Sequence, residues 1–201
     1  NIINILIRFK NMNPGDISGA DVWILCICFL IMLYSDFSAY SDLASGLGKL
    51  LGFDIPVNFR APFLMSSFTD LWKRWHLTFS SWIRDYIFIP MGGSKSSEFF
   101  SYRNLIVTFS LAGLWHGASY TFLVWGLLMG FFLSMEVFLQ KRGLLDFPKN
   151  VFVRIFKRSV IWVLYLSSGV FFFAPNWEFA TICIKNMFNI NLFNKTNILA
   201  F

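Results

Sequence analysis

Apolar residues gather in four blocks along the chain, and the spacing of polar residues between and within them predicts the elements. The first block runs from about Ala20 to Tyr40. Its purely apolar core, Val22–Tyr34, falls short of the roughly 20 residues a helix needs to cross a bilayer. It continues into Ser35-Asp36-Phe37-Ser38-Ala39-Tyr40-Ser41-Asp42, a polar stretch that needs protein or water around it. Pro14-Gly15 marks a turn ahead of this block, and Gly48, Gly52, Pro56 and Pro62 punctuate a loop over Gly46–Ser67 behind it. From Thr69 to Phe88 the pattern turns amphipathic. Trp72, Trp75, His76, Phe79, Trp82, Ile83 and Tyr86 recur at helical spacing, with Lys73, Arg74, Ser81, Arg84 and Asp85 on the other side. One helix is expected here, N-capped by Thr69 or Asp70 and ended by Pro90 and Gly92-Gly93. Such a helix lies at a membrane interface or dips in re-entrantly.

The third block, Asn104–Glu136, is the longest. At about 1.5 Å of rise per residue it exceeds one hydrocarbon thickness, which predicts two helices broken near Gly117–Ser119 rather than one long tilted helix. The fourth, Ser159–Trp177, carries no charge and is expected to be an ordinary span. Between the last two lies Lys141–Arg158, where Lys141, Arg142, Lys149, Arg154, Lys157 and Arg158 outnumber Asp146. The positive-inside rule makes that loop cytoplasmic.

Composition agrees with a membrane protein. Of 201 residues, 56% are hydrophobic and 14% charged, against about 25% charged in soluble domains. Twenty-six Phe and eight Trp suit a bundle with aromatic interfacial belts. A net charge of +6 fits nucleic acid or a membrane surface, and uncharged runs between basic clusters favour the membrane, with no nucleic acid partner. Asn1–Lys10 lacks the order of a secretory signal, and the missing initiator Met suggests the C-terminal part of a longer protein, with residues 1–201 as a single membrane domain. The cysteines form no metal or disulfide framework. Cys26 and Cys28 fall on different sides of a helix, Cys183 stands alone, and all three suit apolar packing.

Few residues are left to carry chemistry. His116 sits in Gly113-Leu114-Trp115-His116-Gly117, inside the uncharged run between Arg103 and Glu136. An ionisable group there is costly unless it faces protein or a watery cavity. Glycines four apart, Gly113/Gly117 and Gly126/Gly130, let helix backbones approach closely, so His116 is expected to face protein. On the residues alone, His116 is either a packing histidine or a functional one, and His76 more readily suits an interfacial helix than a site. Asp36 and Asp42 suit capping at a helix end better than acid–base work. Lys73, Arg74, Arg84, Lys95 and Arg103 suit membrane anchoring, with phosphate binding as the sharper alternative. Two histidines without His-x-x-x-His or Cys-x-x-Cys spacing make no metal site. No Gly-x-Ser-x-Gly elbow is present. A transporter segment with His116 on a proton path, or an inactive remnant, stays open on these grounds.

Three stretches together resemble the membrane-bound O-acyltransferase (MBOAT) family. They are Tyr34–Asp42 with Gly46-Leu47-Gly48; Trp72-Lys73-Arg74-Trp75-His76-Leu77-Thr78 through Trp82–Gly93; and Arg103-Asn104-Leu105 running into Gly113–Phe122. The nearest branch is the bacterial one that holds the alginate O-acetyltransferases and the D-alanyl transfer proteins. Ala39 stands where the family usually has Gly, and no Arg follows Phe171-Phe172-Phe173. The resemblance implies an all-α, polytopic membrane helix bundle with amphipathic or re-entrant helices. It implies His116 and His76 as catalytic residues meeting in one cavity, and no bound cofactor or metal. It further implies an acyl thioester donor, acetyl-CoA or an acyl carrier protein, on the cytoplasmic side. The acceptor would be the hydroxyls of an extracytoplasmic polysaccharide such as alginate, with D-alanyl transfer toward teichoic acid as the alternative. An extracytoplasmic acetyltransferase partner, membrane lipid and a multi-pass place in the bacterial inner membrane complete the expectation.

Overall fold

The computed structural model describes Met12 and residues 16–95, 97–145 and 150–189. Pro14-Gly15 and part of the basic 141–158 stretch lie outside the described residues. All regular elements among the described residues are helical. Helix α1 spans Gly19–Leu50. Its N-terminus is fixed by a capping box: Asp21 N donates to Ser18 Oγ at 3.1 Å and Ser18 N to Asp21 Oδ2 at 3.0 Å. Both residues are buried.

Helix α1 runs far beyond the expected end near Tyr40, straight through the polar stretch. Asp36 and Asp42 therefore sit mid-helix and exposed, not at a helix end. The true terminus is set by Gly52, at φ 84. Phe53 N donates to Gly48 O at 2.8 Å and Gly52 N to Lys49 O at 3.1 Å, the paired bonds of a Schellman ending. Gly46 and Gly48 are thus helical and not part of the loop. With its full length helical, α1 is long and apolar enough to cross a membrane, contrary to the count made on Val22–Tyr34 alone.

The expected amphipathic helix over Thr69–Phe88 is two helices. Helix α2 spans Phe68–Trp72 and α3 spans Leu77–Ile83, continuing into a π-turn over Arg84–Phe88. The cap is Ser67, whose Oγ accepts from Asp70 N at 3.0 Å, not Thr69 or Asp70. Periodicity survives the break, which is why it is invisible in the pattern. Arg60 N donates to Arg74 O at 2.9 Å and Leu77 N to Asn58 O at 3.0 Å. The preceding loop therefore takes backbone groups that a continuous helix would have used.

Helices α4, Glu98–His116, and α5, Tyr120–Lys141, form a hairpin broken at residues 117–119, as the third block predicts. The glycines act as expected. A Cβ on Gly113 would strike Phe122 O, one on Gly126 would strike Phe109 O, and one on Gly130 would come within 2.6 Å of Ile106 Cα. Lys141 Nζ and Glu98 Oε1, 3.5 Å apart, tie the open end. Helix α6 spans Val151–Phe173, so Arg154, Lys157 and Arg158 lie on its first turns and not in a loop. Helix α7 spans Trp177–Met187.

Two buried clusters hold the helices. Val22, Leu25 and Cys26 of α1 meet Val170 of α6 and Ala180, Cys183 and Met187 of α7. Cys183 thus shares its packing with Cys26, while Cys28 is only half-buried. The second cluster joins Leu71, Trp75 and Ile83 to Phe109, Trp125, Met129, Leu133 and Ile161. Helices α1, α5 and α6 are long and apolar enough to cross a membrane.

The glycine contacts predict a graded response. Gly126→Ala should lower stability by about 1–3 kcal/mol, as overpacking does. Gly46→Ala, where nothing lies within 4 Å of the new Cβ, should be neutral or raise it by about 0.5–1 kcal/mol. Thermal unfolding of the two variants in detergent decides; equal midpoints would mean that α4 and α5 do not cross this closely.

Candidate active site

A cavity of about 280 Å³ lies where α1, the α2–α3 break, the end of α4, α5 and α6 converge. His76 and His116 both line it. Most of the remaining wall is aromatic or aliphatic, including Phe37, Trp75, Phe79, Trp125 and Phe172, with Tyr165 and Cys26 also present.

His116 is the last residue of α4. The helix stops there as Gly117 turns to extended backbone, φ 167 and ψ 152, its N donating to Leu114 O at 3.2 Å, and Ser119 caps the next helix, its Oγ accepting from Thr121 N at 3.3 Å. The imidazole packs at 4.8 Å from the Phe172 ring, 5.5 Å from Trp125, 5.0 Å from Trp115 and 6.2 Å from Phe122. It faces protein, as the glycine spacing implies. His76 lies 4.6 Å from the Phe37 ring and 5.1 Å from Phe79, which in turn is 6.2 Å from His116. One phenylalanine thus touches both imidazoles.

His76 occupies the left-handed backbone region, φ 46 and ψ 56. For a residue with a Cβ this costs on the order of 1–3 kcal/mol and persists only when neighbours enforce it. Asn58 does so. Its backbone oxygen accepts from Leu77 N, and its Oδ1 accepts from Thr78 N at 3.3 Å and Thr78 Oγ1 at 2.7 Å. The same Oδ1 lies 3.3 Å from His76 Nδ1. Arg74 steadies the other side, donating to Asp70 Oδ1 at 2.8 Å and Arg60 O at 3.3 Å. Burial, and then the nearby charge of a protonated His116, push the His76 pKa down to about 4.

A second, wider cavity of about 960 Å³ shares Trp72 with the first as a lining residue. Arg60, Lys73 and Arg84 bring positive charge to it, and Thr69, Thr78, Ser80 and Ser81 bring hydroxyls. Trp72 Nε1 and Thr108 Oγ1, both from residues of this wall, are buried without a hydrogen-bond partner.

This pairing of two motif histidines in one aromatic chamber meets a direct comparison. The family model described as MBOAT, membrane-bound O-acyltransferase family, matches residues 5–181. The chain belongs to the MBOAT family. It is a membrane protein. A probable alginate O-acetylase AlgI of Azotobacter vinelandii is 38% identical over 179 residues, which cover 87% of this chain and 34% of the relative. A peptidoglycan O-acetyltransferase of Helicobacter pylori is 34% identical over 179 residues, 87% of this chain and 33% of the relative. A teichoic acid D-alanyltransferase of Bacillus subtilis is 28% identical over 120 residues, 56% of this chain and 30% of the relative. The chain spans about a third of the length of these relatives.

In this MBOAT chain the other residues singled out in the sequence scatter. Asp36 and Asp42 do not line the cavity. Lys73 and Arg84 line the second cavity, and Arg84 pairs with Asp85 at 2.7 Å. Arg103 donates to Asn104 Oδ1 at 2.9 Å and lies 4.7 Å from the Phe100 ring, while Lys95 is exposed. Asn58 and Tyr165 carry no signal in the sequence, and Phe172 stands out there only as part of the run Phe171-Phe172-Phe173. Asn58 sits in an irregular loop with no periodicity, and the other two look like ordinary residues of a span. Among the described residues no group of three or more His, Cys, Asp or Glu could hold a metal.

Burial penalises the imidazolium, so the neutral ring of His76 is favoured above its lowered pKa. Side-chain NMR of labelled histidine, assigned by the signal lost in His76→Gln, should give a midpoint near 4 instead of the ordinary 6.5. A midpoint in the ordinary range would put His76 in water.

Proposed function

We propose that this chain forms the acyl-transfer centre of a membrane O-acetyltransferase that moves an acetyl group from a cytoplasmic thioester to hydroxyls of an extracytoplasmic polysaccharide. The observation that carries it is the placement of His76 and His116 in one aromatic cavity. A hydroxyl becomes a competent nucleophile when a base takes its proton during attack. In this reading His116 takes that proton. The hydroxyl oxygen forms a bond to the thioester carbonyl carbon, the carbon–sulfur bond breaks, and the departing thiolate recovers the proton from His116. His76 orients a substrate group beside it. The aromatic walls limit water, which would otherwise hydrolyse the thioester.

The acyl donor, acetyl-CoA or an acyl carrier protein, carries phosphates. The second cavity suits them, with Arg60, Lys73 and Arg84 at its wall. Trp72 is shared by the two cavities, so the thioester end would pass close to it. The two O-acetylases named above favour acetyl as the group, because they match more of this chain at higher identity than the D-alanyltransferase does; alginate is taken as the acceptor class on the 38% identity to the alginate O-acetylase, against 34% for the peptidoglycan O-acetyltransferase. D-alanyl transfer toward teichoic acid is the second reading. In either case the protein is multi-pass in the inner membrane, contacts lipid and takes no nucleic acid; the acetyl reading adds an extracytoplasmic acetyltransferase partner, whereas a carrier-protein partner would mark the D-alanyl one.

Two measurements test this. In the full-length protein, His116→Ala should lower ester-linked acyl groups on the cell-surface polysaccharide by about 100-fold or more, with membrane abundance unchanged. Undiminished ester would remove the assignment and bring forward the proton-path reading, which predicts pH-dependent transport and no acyl product. Replacing Lys73 and Arg84 together by Ala should raise the KM for the thioester several-fold with a smaller change in kcat. An unchanged donor KM would separate the second cavity from donor binding.

A further inference from the structure

A histidine's tautomer is dictated by what its neighbours can donate and accept, and around His76 those neighbours leave one answer. Thr78 N, a backbone donor that can do nothing else, lies 3.3 Å from Asn58 Oδ1. Turning the Asn58 amide over would aim its NH2 group at that N–H, donor against donor. At the other end Asn58 Nδ2 donates to Ser41 Oγ of α1 at 3.3 Å, a hydroxyl that suits either orientation, so Thr78 N decides. The atom facing His76 Nδ1 at 3.3 Å is therefore a carbonyl oxygen, which only accepts. The proton of the neutral ring sits on Nδ1, and Nε2 carries the lone pair.

We infer that Asn58 is a positioning residue that locks His76 as the Nδ1–H tautomer, so that Nε2 accepts a hydrogen bond from the substrate instead of donating one to the oxyanion. The second half rests on the acyl-transfer reading above; the tautomer does not. With His116 taking the proton of the attacking hydroxyl, the group that suits Nε2 is a neighbouring hydroxyl, which a polyhydroxylated acceptor supplies. Asn58 is well placed for this task. It fixes the ring through Nδ1 and also holds residues 77 and 78, which follow the left-handed turn. Any relaxation of that strain would turn the imidazole away.

The surroundings of His76 do not oppose the lock. On its own segment Arg74 is held by Asp70, and Lys73 is exposed. On α1, Asp36 and Asp42 are exposed beside Phe37 and Ser41. From α4 the titratable neighbour is His116, and from α6 it is Tyr165, which lines the same cavity.

The test uses the full-length protein with two substitutions at Asn58 and two readouts. Nitrogen NMR of labelled histidine, assigned through His76→Gln, should show the Nδ1–H form for the native protein. In Asn58→Leu, which keeps the shape and removes the acceptor, it should show a mixture. That variant should also raise the KM for the polysaccharide about 10-fold while leaving the thioester KM in place. Asn58→Asp keeps the acceptor oxygens and adds a negative charge beside Nδ1. It should move the acid limb of transfer upward by about one unit or more, because a carboxylate favours the imidazolium. An Nε2–H signal from the native protein, or an Asn58→Asp pH profile superimposable on the native one, would overturn the inference. If the native protein transfers no acyl group at all, the acyl-transfer reading fails, and the NMR signal still decides the tautomer.

Discussion

Where α4 and α5 cross, Gly113, Gly126 and Gly130 leave no room for a Cβ, and the two backbones touch. The rest of the site is referred to that contact. It fixes His116 at the end of α4 against Trp125 of α5. It also fixes Glu136 further along α5, whose carboxylate reaches back across the fold. Glu136 Oε2 accepts from Phe68 N at 2.6 Å and its Oε1 from Thr69 N at 3.2 Å. A carboxylate at a helix N-terminus satisfies amides that have no partner of their own and meets the positive end of the dipole. Helix α2, too short to be stable by itself, is thereby seated by α5.

From α2 the chain enters the break that carries His76, and there a second constraint takes over. The loop preceding α2 pairs its backbone with the break on both sides, through Arg60 to Arg74 and Asn58 to Leu77. The two constraints act on opposite ends of a short segment. One places α2 relative to α5, and the other forces the chain into a left-handed turn at a residue with a side chain. Backbone strain of this kind is stored where surrounding contacts over-determine it. Here it aims one imidazole into the cavity that the end of α4 already supplies with another. Phe79, one turn into α3, touches both rings and sets their spacing.

The electrostatic consequence follows from the same packing. Two imidazoles that share a poorly hydrated chamber disfavour charge on each other, and for His76 burial adds the larger part of that effect. Nearby positive charge is kept out of the chamber by being engaged elsewhere: Arg74 with Asp70, Arg84 with Asp85, Lys73 on the far wall of Trp72. The chain therefore holds an aromatic, weakly polar chamber and a basic, hydroxyl-lined one, with Trp72 lining both.

Much of this was legible in the sequence, for physical reasons that can be named. A buried ionisable residue among glycines four apart announces both a close helix crossing and a histidine turned toward protein, because hydrocarbon tolerates neither an exposed imidazole nor an unfilled groove. The break at residues 117–119 followed from length against bilayer thickness. Spacing and composition alone give the helical class, the α4–α5 hairpin, the place of His116 and the family motifs. The end of α1, the parting of α2 and α3, and the approach of His76 to His116 depend on contacts between distant segments. The Thr69–Phe88 pattern keeps its period through the break, since side-chain periodicity records which face is buried and not which backbone groups are bonded. The partner that diverts those groups, Asn58, sits in a loop where no periodicity marks it, and its hydrogen bonds exist only after α1, the loop and α3 have come together.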